Sequence, residues 1–360
     1  MRIRWRAAAL SVIAALLIGG KALSVELPAE LEQASPEAAA LLQGGEETGF
    51  GLASGASALL NEALEELREH LLSGVRSVAL LIAGVILLGV VEALAPEKGD
   101  TVSRYTEMVG ALWITAVSAG DLNALIGLGR ETITQVSQLS KVLLPTLAAA
   151  TAAMGGVTST SVRQVAAVFF SDVLLTAIER LLMPMVYLYI GVAAAEAVLE
   201  GEVLEGIAKL LKKCIGWGLG CLLTLFTGYL TISGAVAGAA DAQAVRLAKA
   251  AVSGAVPVVG GILAEAAESV LAGAGILRGM VGAFGALAVL ALCLAPALRL
   301  GAQYLLYQGA GLVAAAAGPK KLTKLLGMLG DAFALVLAMT AASALLLIIS
   351  LVSTLTVVTP

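Results

Sequence analysis

The sequence predicts an all-α polytopic membrane protein with 8 to 10 membrane segments, including a re-entrant or broken helix, preceded by an exported acidic helical segment. Three observations predict it. Of 360 residues 59% are hydrophobic and only 13% charged, against roughly 25% charged in a soluble domain, so most of the surface must face lipid. Uncharged runs of about the length needed to cross a bilayer recur along the chain. The charges that exist are segregated: residues 25–74 carry ten Glu against one Arg, Arg68.

The N-terminus reads Met1-Arg-Ile-Arg-Trp-Arg6, then an uncharged run from Ala7 to Gly20, then Lys21-Ala-Leu-Ser24. A basic start, a short apolar stretch and small residues before a cut after Ser24 make 1–24 a signal peptide, with an uncleaved N-terminal anchor as the alternative. Either sends residues 25–74 outward, in keeping with the concentration of basic residues on cytoplasmic sides. Two helices are expected there. Ser35-Pro36-Glu37 opens a short one to about Leu42, with a capping serine and a proline and acid in the first turn. From Ser57 to Ser73, Leu60, Leu64, Leu67 and Leu71 recur at helical spacing and form a candidate partner-docking face.

Residues 75–360 form the polytopic domain. The uncharged runs are 77–91, 142–162, 214–240, 279–298, 300–319 and 332 to the C-terminus. Weaker candidates are 105–128, broken by Asp121; 165–183 and 181–199, which carry acids and Arg180; and 250–276, with Glu265 and Glu268. Counting all gives ten segments; making 142–162 re-entrant and 165–183 interfacial gives eight. Both numbers place the lysine clusters 209–213 and 320–324 on the cytoplasmic side. The 40 glycines suit helices that approach closely in lipid, where small residues favour packing.

Ionisable groups inside apolar segments cost about 2.5–3.5 kcal/mol each on insertion scales and usually face a partner or a cavity. Asp172, Glu179 and Arg180 are therefore candidates for an intramembrane polar path, as are Glu265 and Glu268. Pro184 is a candidate helix break. So is the stretch around Pro257, Gly260 and Gly261, since backbone groups freed at membrane depth must be buried in protein or line water. The alternative for both regions is a polar helix face at the surface.

Other classes find little support. One histidine, His70, and three cysteines fall short of the usual zinc-ligand sets. No GxSxG, HExxH or phosphate-loop motif occurs, so neither enzyme activity nor a cofactor is expected. No basic run interleaved with aromatics suggests nucleic acid.

Several stretches mix prolines, aromatics and charges where random apolar sequence would not: Thr176-Ala-Ile-Glu-Arg-Leu-Leu-Met-Pro-Met-Val-Tyr-Leu-Tyr-Ile190, Leu223-Thr-Leu-Phe-Thr-Gly-Tyr-Leu230 and Lys249-Ala-Ala-Val-Ser-Gly-Ala-Val-Pro-Val-Val-Gly-Gly261. With the signal peptide and the acidic external helices, they make the chain resemble the stage III sporulation protein AE family of endospore-forming bacteria. That resemblance implies a membrane-embedded subunit of the transenvelope channel between mother cell and forespore, acting as assembly platform or conduit. Implied partners are the other proteins of the same operon and a forespore membrane partner, besides membrane lipid, with a homo-oligomer as a further option. The implied location is the outer forespore membrane, with residues 25–74 between the membranes. The family brings no catalytic residues to carry over. The competing reading is a stand-alone secondary transporter using Asp172, Glu265 and Glu268.

Overall fold

The computed structural model describes residues 52–94, 100–153, 158–199, 202–255, 260–316 and 318–356, with side chains left out at the less certain ends of several helices. The signal peptide, the Ser35-Pro36 helix and Pro257 lie outside the described residues, as do the side chains of Glu265 and Glu268. Among the described residues the fold is all helical: α1 (Leu52–Leu94), α2 (Asp100–Ala153), α3 (Thr158–Ala177), a π-helical turn (Ile178–Leu182), α4 (Met183–Val198), α5 (Glu202–Ala255), α6 (Gly260–Ala314) and α7 (Lys320–Thr356).

Six helical stretches are long and apolar enough to cross a membrane among the described residues. Several of the apolar runs of the sequence share a helix. The run 105–128 and the part of 142–162 up to Ala153 both fall on α2, 279–298 and the part of 300–319 up to Ala314 are joined through Arg299 on α6, and 165–199 forms one path through α3, the π turn and α4. A charged residue interrupts hydropathy but leaves the backbone ladder intact, so the helix continues through it. The 54 residues of α2 reach about 80 Å at 1.5 Å per residue, well beyond a hydrocarbon core of about 30 Å. Residues 52–74 likewise continue without a break into the apolar run 77–91, as one helix.

Contacts fix the directions. Glu66 beside Arg299 and Gly74 beside Gln303 make α1 and α6 parallel, Glu107 beside Lys321 and Gly129 beside Val336 make α2 and α7 parallel, and Glu92 beside Ser103 with Gly84 beside Trp113 sets α1 antiparallel to α2. Ion pairs mark the levels: Glu107 of α2 meets Lys321 of α7 at 2.6 Å, and Glu66 of α1 meets Arg299 of α6 at 2.7 Å. Lys324 of α7 binds Glu196 of α4 at 2.6 Å and Glu205 of α5 at 2.7 Å, while Lys212 of α5 reaches Asp331 of α7 at 2.6 Å. The two lysine clusters thus lie on one flank of the bundle. The core is built from Leu, Ile, Val and Ala with a few large rings; Tyr307 and Phe333 pack edge to face at 5.1 Å.

Glycine permits the closest crossings. A Cβ on Gly129 would overlap the Val336 side chain, and one on Gly110 would overlap Leu322, so α2 and α7 approach through missing side chains. Proline acts differently at each site. Pro145 and Pro296 sit inside α2 and α6. At Pro184 the chain stays helical: Met183 donates its N–H to the Ile178 carbonyl, five residues back, and the π turn absorbs the missing proline donor.

Adding a methyl at the α2–α7 crossing tests this packing. Gly129→Ala should lower stability by about 1–3 kcal/mol through overpacking, and combining it with Val336→Ala should cost less than the two singles together. Thermal unfolding of the full chain in detergent, followed by circular dichroism, measures both.

Candidate functional site

Where α1, α2 and α6 meet, the apolar interior gives way to polar side chains. Asp121, alone in its apolar run on α2, points its carboxylate at α6. Its Oδ2 accepts from Gln303 Nε2 at 3.0 Å and from the Tyr307 hydroxyl at 3.4 Å. Gln303 and Tyr307 are four residues apart and so share a helix face; both are buried. The amide is oriented by the carboxylate, which accepts from the NH₂ end, leaving Gln303 Oε1 directed at the α1 backbone, 3.0 Å from where a Gly74 Cβ would stand. His70 lies one turn before Gly74, half-buried and close enough to Gln303, Asp121 and Arg299 to feel all three. Fully buried Ser118 sits one turn before Asp121, against Tyr307. Among the described residues Asp121 has no ion-pair partner.

Next to this cluster lies a cleft of about 530 Å³. One face of each helix lines it: Leu59, Glu62, Ala63 and Glu66 from α1, Leu128, Gln135 and Gln138 from α2, and residues around Pro296 up to Arg299 from α6. Arg299 joins the two features, since it pairs with Glu66 in the cleft wall and its charge reaches His70. Small and acidic side chains on the inward face of α1 leave this space open where leucines would close it. Among the described residues no three His, Cys, Asp or Glu gather as a metal site.

The residues singled out from sequence fall elsewhere. Asp172 of α3 pairs with Lys141 of α2 at 2.9 Å, well inside both helices, with both side chains about half exposed. Glu179 and Arg180 occupy the π turn, Glu179 half-buried and Arg180 exposed, and neither joins the Asp121 cluster. Gly260 and Gly261 begin α6. On α1, Leu60 and Leu64 are exposed at 45% and 46% and Leu67 and Leu71 are half-buried, while Leu59 and Ala63 turn inward. The cluster itself was missed because its members lie up to 237 positions apart, from His70 to Tyr307. The usable signal was a lone acid in one apolar run and a Gln–Tyr pair at helical spacing in another.

The architecture is that of a polytopic helical membrane protein with a polar core between three helices. The family model described as "Stage III sporulation protein AE" matches residues 46–358, and the chain belongs to that family. A relative named "Stage III sporulation protein AE" from Bacillus subtilis (strain 168) is 23% identical over 200 residues, covering 56% of this chain and 50% of the relative. The chain thus spans about half the length of the curated relative it matches. No solved structure matches it.

Removing the carboxylate isolates its contribution. Asp121→Leu leaves the Gln303 amide and the Tyr307 hydroxyl without their acceptor and should destabilise the full chain by about 1–3 kcal/mol. Asp121→Asn retains a carbonyl acceptor and should lose clearly less. Thermal unfolding of both variants in detergent gives the comparison.

Proposed function

We propose that the chain is a membrane-embedded subunit of the sporulation transenvelope channel between mother cell and forespore, acting as assembly platform or conduit. The observation that carries this reading is the family match across residues 46–358, together with six helices able to span a membrane. On this reading the protein sits in the outer forespore membrane. Residues 25–74 face the space between the membranes, and the lysine clusters on α5 and α7 face the mother-cell cytoplasm. Its partners are the other proteins of the same operon and a forespore membrane partner. The exposed Leu60 and Leu64 on α1 offer part of the docking face, because polar substitution there leaves the inward Leu59 and Ala63 in place.

The stand-alone transporter has one observation in its favour. Asp121 is a carboxylate inside an apolar bundle with no ion-pair partner among the described residues, and such groups often mark ion or proton sites. The Glu265 and Glu268 carboxylates would serve the same reading.

Co-purification of the tagged full chain from membranes of sporulating cells separates the two. The channel reading expects the other channel proteins to co-purify, and Leu60→Asp with Leu64→Asp to reduce their recovery while the chain stays folded. Recovery of the chain alone would contradict it. Neutralising Glu265 and Glu268 as Gln should leave assembly intact; loss of transport with assembly preserved would favour the transporter.

A further inference from the structure

We propose that the cleft between α1, α2 and α6 is a binding site for a small molecule carrying a protonated amine on a short apolar body. This inference is independent of the sporulation reading. The size fits: about 530 Å³ falls within the roughly 300–1,000 Å³ of small-molecule pockets, which are mostly apolar with a few placed polar groups. Leu59, Leu128, Leu294 and Pro296 supply the apolar wall.

The charge and hydrogen-bonding groups decide the class of ligand. Glu62, Glu66 and Arg299 are the ionisable residues of the lining. Arg299 is committed to Glu66 at 2.7 Å, and Glu62, one turn before Glu66, has no ion-pair partner among the described residues. The lining therefore carries one uncompensated negative charge. The α6 wall adds a further acceptor. Pro296 has no N–H, so the carbonyl of Leu292, four residues earlier in the same wall, loses its helical donor. The Glu62 carboxylate in the lining has no cation of its own among the described residues, so the ligand that answers it brings N–H groups, and an ammonium brings three.

Arg299 Nε in the wall is buried and bonds nothing. It could hold a carboxylate oxygen on the same ligand. The amine belongs either to a simple alkylamine or to an amino acid with an apolar side chain, which share the ammonium and the hydrocarbon.

Isothermal titration of the purified full chain in detergent tests this with three probes of one carbon skeleton: 3-methylbutylamine, L-leucine and 3-methylbutanol. Saturable binding of an amine-bearing probe, with the alcohol bound about tenfold or more weakly, is expected. Glu62→Gln should weaken that binding to a similar extent with thermal stability unchanged, since Glu62 is exposed. Tighter binding of L-leucine would assign the source as an amino acid held through Arg299, and tighter binding of the amine would assign an alkylamine. No saturable binding, equal binding of the alcohol, or an unchanged affinity in Glu62→Gln would overturn the proposal.

Discussion

A charge placed inside a long apolar helix must find its partner on another helix, and this constraint sets the register of the bundle. An unpaired ionised group on a membrane-spanning helix costs about 2.5–3.5 kcal/mol on insertion scales. Each charged side chain therefore acts as a peg that fits one axial position. Glu66 with Arg299 aligns α1 with α6. Glu107 with Lys321 aligns α2 with α7, and Lys324 ties α4 and α5 to α7 at one level. Apolar surfaces alone tolerate sliding, because one leucine replaces another at little cost.

Close approach supplies what the ion pairs do not. In lipid the hydrophobic drive between helices is weak, so association depends on packing and on polar contacts. Gly110 and Gly129 let α2 meet α7 at side-chain depth. Ser171 of α3 and Ser350 of α7 add a buried contact at 3.2 Å. The polar cluster around Asp121 then sits where three such helices converge, with its carboxylate bonded by Gln303 and Tyr307 and with Arg299, in the wall of the neighbouring cleft, near enough to act on His70. An interior of this kind can serve a platform, which needs rigidity, or a conduit, which needs a polar path.

The helical class was legible in the apolar runs because hydropathy and span length are local properties. The number of helices was not. Arg299 ends an uncharged run, yet α6 passes straight through it, because its cost is met by Glu66, distant in sequence. Pro184 likewise reads as a break, but a π turn keeps the chain helical. For the site, Asp121 was visible only as an interruption of 105–128, and His70 only as a lone histidine. Their meeting with Gln303 is a product of tertiary register, which no local pattern encodes. Asp172 stood out equally in the sequence and pairs with Lys141, twenty residues along α2 from Asp121.

A double-mutant cycle on Glu66 and Arg299 tests most directly whether interhelical ion pairs hold the register. Glu66→Leu, Arg299→Met and the combined variant are compared by thermal unfolding of the full chain in detergent. If each charge depends on the other, the singles are each strongly destabilised and the double falls well short of their sum, with a coupling of about 1 kcal/mol or more. Additive losses within about 0.3–0.5 kcal/mol would contradict the account.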